Sequence, residues 1–92
     1  MNFEWDEKKN LLNRKKHGIT FEYASLVFKD EYRMEDYDAD HSGDEDRYTV
    51  TGRVQGIIVV VCTYREEDVV RIISAREATK DERRRYEWQW LE

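Results

Sequence analysis

The chain has a single cysteine, Cys62, set in the middle of an apolar stretch. One cysteine cannot make an internal disulfide, and a lone thiol among apolar neighbours behaves as a small apolar side chain, which fits a reducing compartment. Long apolar runs are also missing. No stretch approaches the ~20 residues that a membrane span needs, and the N-terminus holds none of signal-peptide length, so a soluble, cytoplasmic protein with no membrane partner is expected. The two histidines, His17 and His41, are not clustered, and with one cysteine they offer no zinc-ligand spacing; the acids lack the Asp/Asn/Gly loop pattern for calcium. There is no Gly-rich phosphate loop, no G-x-S-x-G and no Cys/His pair with a reason to meet. Conventional hydrolase chemistry has no foothold, and no metal or cofactor is expected.

What is present suits one small globular domain spanning residues 1–92, long enough for one core and without a solenoid repeat. Hydrophobic residues make up only 39%, but three Trp, six Tyr and three Phe carry large buried area per residue and favour folding over disorder. The net charge of −5 is unevenly spread. Nine acids (Asp30, Glu31, Glu35, Asp36, Asp38, Asp40, Asp44, Glu45 and Asp46) stand against Arg33 alone, a local balance of −8 that leaves the rest of the chain at +3. The body can therefore present a positive face, with the acidic segment held to one side. The plain alternative is an ordinary solvated acidic loop.

Residues 57–76, IIVVVCTYREEDVVRIISAR, organise the rest. Two β-branched apolar runs flank Glu66-Glu67-Asp68, which reads as a hairpin of two buried strands. Before it, 2–5 reads as a short edge strand. Asp6 caps a helix that runs to about Lys16 and stops at Gly18; with only Leu11 and Leu12 apolar, that helix should be peripheral. Thr20 caps a second helix whose Phe21, Ala24 and Phe28 make one apolar face, ending at Asp30. Strands are expected over 32–37 and 47–53, the latter joined by a tight turn around Gln55-Gly56 to 57–64. The connections are too short for crossovers, which predicts an antiparallel meander. A capping box, Thr79 with Glu82, starts a terminal helix in which Tyr86 and Trp90 should pack inward. Arg83, Arg84 and Arg85 go round that helix, cannot share one face, and read as solvated surface. The expected architecture is α+β, in the order β-α-α-β-β-β-α: an antiparallel sheet of about four strands, two N-terminal helices and one C-terminal helix, with one face covered by the helices.

Both hairpin strands finish on an arginine, Arg65 and Arg76, and an apolar strand ending in a fixed guanidinium is a natural anion holder. With two-residue turns at Val54-Gln55 and Glu67-Asp68, the register would put Val59, Val61, Thr63 and Arg65 on one face, opposite Val70, Ile72, Ser74 and Arg76. The two arginines would share that face about 20 Å apart, able to grip different points of an extended polymer but not one phosphate. A metal-free set of Arg, Lys and His suits RNA cleavage. RNA carries its own nucleophile, the 2′-hydroxyl, so the protein need supply only a base, cations for the phosphorane and an acid for the leaving oxygen. The alternative is that these arginines merely pair with the acidic segment.

Trp5-Asp6, Lys9, Asn13, Lys16-His17-Gly18, Phe21, Ala24, Val27-Phe28 and Asp30, followed by Asp46-Arg47, Gly52, Thr63-Tyr64-Arg65 and the run Arg71-Ile72-Ile73-Ser74-Ala75-Arg76, form an ordered set that resembles the BrnT family of bacterial toxins. The resemblance runs from the first strand to Tyr86. It implies a RelE-like fold and a metal-independent ribonuclease that stops translation. It also implies neutralisation by a BrnA-type antitoxin with a ribbon-helix-helix domain, with operator DNA bound only through the complex. By that likeness Lys16, Arg65 and Arg76 are functional positions, joined by His17, Arg47 and Glu82; chemistry makes His17 the alternative proton carrier, and Arg47, Arg53 and Glu82 are expected on the substrate side. A non-catalytic protein-binding module of the same fold is the other reading.

Overall fold

The computed structural model describes residues 1–91. Its elements are β1 (Asn2–Glu4), α1 (Glu7–His17), α2 (Phe21–Ser25) continuing as a 3₁₀ turn (Leu26–Lys29), β2 (Met34–Tyr37), β3 (Tyr48–Arg53), β4 (Ile57–Arg65), β5 (Val69–Glu77), and α3 (Lys80–Glu87) ending in a 3₁₀ turn (Trp88–Trp90). A short 3₁₀ turn (Ala39–His41) lies in the loop after β2.

The strands form one sheet in the order β1-β5-β4-β3-β2. The antiparallel meander is there as β2 to β5, but the order is β-α-α-β-β-β-β-α, one strand longer than expected, and the sheet has five strands and is mixed, not the four-stranded antiparallel sheet expected. β1 returns beside β5 and pairs parallel to it, from Asn2 with Val69 to Glu4 with Arg71. A parallel pair needs a long connection, and everything from α1 through β4 lies between these two strands.

The helices also divide between the two faces instead of sharing one. On the first face α1, α2 and the following turn cover Val50, Ile58, Val60, Cys62, Val70, Ile72 and Ala75, with Phe21, Ala24, Val27 and Phe28 packed into them. On the second, Tyr86 of α3 and Ala78 meet Ile57 and Val59, with Met34 alongside. The reason is legible in β4, where Ile57, Ile58, Val59 and Val60 are all buried. A strand apolar at successive positions has no face to give to water, so both sides must be covered.

Capping follows the expected residues. Asp6 accepts from the amides of Lys8 (2.8 Å) and Lys9 (3.4 Å), Gly18 closes α1 with φ +73°, and Thr79 and Glu82 form the reciprocal box of α3. What anchors α1 is not what apolar content suggested. Leu11 and Leu12 point to solvent, and the buried residues of the helix are Asn10 and Asn13. Asn13 takes the place of a missing strand beside β5 beyond the reach of β1. Its amide donates to the Ala75 carbonyl at 2.9 Å and its oxygen accepts from the Ala75 N–H at 3.1 Å. Asn10 accepts the Phe21 amide at 2.8 Å and so ties α2 to α1. Buried backbone groups need such partners, and two asparagines supply them where leucines could not.

Two further differences concern turns and termini. Arg53 pairs with Ile57 and Arg65 with Val69, so both hairpin loops have three residues, not two. In the second, Glu67 and Asp68 sit at φ 59° and 62°. Tyr86 packs inward as expected, but Trp90 remains 45% exposed. Gly52 is required by close packing: a Cβ there would lie 2.6 Å from Val27 Cγ2, so Gly52→Ala should push β3 off the Leu26–Lys29 turn.

Candidate functional site

The site begins with an irregularity in β5. Val61 pairs with Ser74 but Cys62 with Ile72, which leaves Ile73 as an extra residue. Such a bulge reverses the inside–outside alternation on its far side. Val70 and Ile72 therefore turn into the core, not onto the face of Arg65 as the regular register had them, and Arg71 comes out in their place. The second face of the sheet thus carries Arg76 opposite Val59, Ser74 opposite Val61, Arg71 opposite Thr63 and Arg65 opposite Val69. Arg65 and Arg76 share a face as expected. Six residues of β4 separate their pairing positions, about 20 Å at the strand rise. α3 covers the Arg76 end of this face, while Arg65 and Glu4 border an open hollow of about 730 Å³ at the other.

Each arginine on the face has a carboxylate, held in different ways. Arg76 makes a two-point contact with Glu82, Nη1 to Oε1 at 2.7 Å and Nη2 to Oε2 at 3.0 Å. Glu82 Oε1 also accepts the Thr79 amide at 2.8 Å, so the guanidinium is wired to the start of α3. The Arg76 contact, aided by Thr79 and outweighing burial, holds the Glu82 carboxyl down at about 2. Arg71 reaches Glu4 at 2.7 Å, and Arg65 approaches the same Glu4 oxygen at 3.5 Å and Glu45 at 3.7 Å. Five acids border the hollow at that end, Glu4, Glu45, Asp46, Glu66 and Glu67. Arg85 of α3 grips Asp36 of β2 at 2.7 and 2.8 Å; this pairing lowers the Asp36 carboxyl and raises the arginine.

The remaining expected residues fall into three places. Lys16 and His17, exposed at the end of α1, line a shallow groove with Asn13, Ile73 and Ser74 along the part of β5 that β1 leaves open. Ser74, at the inner side of the groove, is two residues from Arg76 and on the same face of β5. Arg47 stands just before β3 at the Arg65 end, its amide bound to the Ser42 hydroxyl at 2.9 Å. Arg53 lies at the opposite end of β3 and serves α3. Its amide donates to Asp30 at 2.7 Å and its guanidinium sits 5.8 Å from the Tyr86 ring centre. The structure therefore pairs Arg76 with Glu82 at the α3 end of the face, which Arg53 also borders, puts Lys16 and His17 on the groove at the open edge of β5, and leaves Arg65 and Arg47 at the far end.

Sequence reading missed Arg71, Glu4 and the Arg85–Asp36 pair. Nothing in the run IISA marks a bulge, and without it Arg71 belongs to the wrong face. Asp30 does more than end a helix: besides Arg53 it accepts the Tyr86 hydroxyl and the Tyr32 amide, and despite its burial these bonds hold its carboxyl below the usual range.

Comparison with known proteins bears on family and fold. A family model described as the ribonuclease toxin BrnT of type II toxin–antitoxin systems matches residues 5–82. The chain belongs to the BrnT family. The crystal structure of the Brucella abortus ribonuclease toxin BrnT is similar to it, with a TM-score of 0.66 and 28% identity over 87% of this chain and 99% of that one. No curated protein sequence gives a significant match. Membership brings an antitoxin partner with it, and the α+β fold of three helices on a five-stranded mixed sheet is BrnT-like. Among the described residues no helix is long and apolar enough to cross a membrane.

Proposed function

We propose that this BrnT-family chain is a metal-independent endoribonuclease toxin, which cleaves RNA and so stops translation. The supporting observation is the row of arginines on one sheet face, of which Arg76 is fixed by two hydrogen bonds; Lys16 and His17 line a groove that reaches the same strand at Ser74. In the reaction the 2′-oxygen attacks the adjacent phosphorus and the bond from phosphorus to the 5′-oxygen breaks. The 2′-hydroxyl proton goes to a base, His17, or Lys16 if bound RNA desolvates it into its neutral form, and the departing 5′-oxygen takes up a proton from the other of the two or from water. Arg76 stabilises the charge that builds on the phosphorane, with Arg65, about 20 Å along the face, and Arg47 and Arg53 as further contacts to the polymer. Glu82 holds Arg76 in place. A BrnA-like ribbon-helix-helix antitoxin silences the toxin by covering the arginine face, and the pair, not the toxin alone, binds operator DNA.

The test is growth arrest, with RNA cleavage by the purified protein in EDTA and 2′,3′-cyclic phosphate ends on the products. Full activity from a folded variant carrying both Arg65→Ala and Arg76→Ala would end this reading. The carboxylates paired with the face arginines favour the second one, a non-catalytic binding module in which the pairs only brace the fold. That module would leave RNA intact while still binding the antitoxin.

A further inference from the structure

An aromatic cluster borders the arginine face at its α3 end, the end opposite Arg65. Trp90, on the turn that ends α3, packs against Tyr32 at 5.1 Å and Tyr86 at 5.0 Å between ring centres. With Leu26 and Val54 these rings line an open groove of about 410 Å³. Leu26, Tyr32 and Trp90 are all exposed, and Trp88 and Leu91 on the same turn are 67% and 74% exposed. Contiguous apolar surface of this kind marks an interaction site, and Trp and Tyr are the side chains that anchor protein interfaces. The groove opens beside Arg53, at the Ile57 end of the hairpin, and the eight steps of β4 from Ile57 to Arg65 place it some 26 Å from the Arg65 end. The family model ends at residue 82, before Tyr86, Trp88 and Trp90, so the groove depends on a segment outside the matched stretch.

We propose that this groove is the anchoring surface for the antitoxin, and that it takes an apolar segment flanked by acidic residues. The proposal rests on membership of a toxin–antitoxin family, not on ribonuclease activity. The charged residues that line the groove are Lys29, Arg53 and Asp30. Lys29 and Arg53 outweigh Asp30, and because the Arg53 charge already acts on Asp30 and lies over the Tyr86 ring, Lys29 is the cation left to meet a partner's acids. A second copy of this chain fits worse, because a two-fold contact would set Lys29 and Arg53 against themselves. RNA also fits worse. A stacking platform offers free ring faces along a cationic track, whereas the Trp90 ring is wedged between two tyrosines and the groove is part aliphatic. The groove thus decides which antitoxin is held, and the arginine face what that antitoxin switches off.

The experiment uses the full chain and the antitoxin encoded beside it, with binding followed by calorimetry and tryptophan emission. Trp90→Ala should weaken binding on the order of 30-fold or more, as a buried aromatic anchor does, and Lys29→Glu several-fold. In cells both variants should stay toxic when the antitoxin is present at its normal level. Leu26→Glu is the second groove variant, should Trp90→Ala melt early. Unchanged antitoxin affinity in folded Trp90→Ala and Leu26→Glu would overturn the proposal. So would affinity retained alongside a loss of self-association, which would assign the groove to a second copy, or alongside a loss of RNA binding, which would assign it to RNA. A wild-type chain that cleaves no RNA yet loses its antitoxin through Trp90→Ala would refute the ribonuclease reading and leave this one standing.

Discussion

Arg65 and Arg76 belong to one hairpin and face the same way, yet the chain holds them very differently. Arg76 is gripped at two points by a carboxylate that also caps α3. Arg65 stands 3.5 and 3.7 Å from two carboxylates, too far for good hydrogen bonds, and has acids on several sides. A cation fixed before the reaction needs no reorganisation when charge develops, whereas one that is loosely held must be drawn into place. The difference points to Arg76 as the group that meets the phosphorane and to Arg65 as a contact further along the polymer.

The largest effect that sharpens this contrast is on cleavage. Arg76→Ala should cost on the order of 10²-fold or more in the rate of RNA cleavage, as loss of a fixed donor does elsewhere. Arg65→Ala should cost less and act mainly on binding. Single-turnover rates at saturating RNA, with melts to confirm folding, separate the two; equal losses in the chemical step would remove the distinction. Arg84→Ala, on the outer surface of α3, should change neither.

Glu82 offers a second route, because it acts on Arg76 without touching RNA. Glu82→Gln keeps the size and the cap acceptor but weakens the grip on the guanidinium, so cleavage should fall by less than in Arg76→Ala. It should also change the pH dependence of stability. A carboxyl at 4.5 in the unfolded chain and about 2 in the folded one contributes stability above pH 4.5, which is lost as pH falls towards 2. Wild type should therefore lose more of its melting temperature across that window than Glu82→Gln. The difference will be modest, since Arg76 is 42% exposed at the side chain and water screens the pair. Parallel curves would show that the pair does not couple to folding.

How much of this could be read beforehand follows from what each feature depends on. Caps at Asp6, Thr20 and Thr79 and the stop at Gly18 depend on a few adjacent residues, and they stand where local chemistry put them. The apolar runs of β4 and β5 were equally plain, and the conclusion that Arg65 and Arg76 share a face holds. The register behind it holds at the Arg76 end, where Val59 faces Arg76 and Val61 faces Ser74, and fails beyond Val61. Three-residue loops and the bulge at Ile73 are set by how strands twist onto their neighbours, and they put Val70 and Ile72 inside and Arg71 outside. β1 beside β5 is a contact between chain ends, which no local pattern reports. Asn13 shows the same limit: a polar residue on a charged helix gives no sign that it completes a sheet edge 62 residues away.

The smallest effect concerns Glu4, the acid that Arg65 and Arg71 share. Its Oε2 lies 2.7 Å from Arg71 Nη1 and 3.5 Å from Arg65 Nε, so one oxygen stands where two guanidinium groups converge. An incoming phosphate would have to compete with it. Glu4→Gln removes the charge and leaves the shape, so the chain should bind RNA a few-fold more tightly at low salt, with the gain shrinking as salt screens both states. The price in stability is small because the pair is part-exposed and each guanidinium keeps its packing. Filter binding of a cleavage-resistant RNA carrying 2′-deoxy at the scissile position, run across a salt series, reads this directly. Weaker binding in Glu4→Gln would mean that Glu4 positions the two arginines for RNA and does not mask them, and Arg65 would then be as preorganised as Arg76.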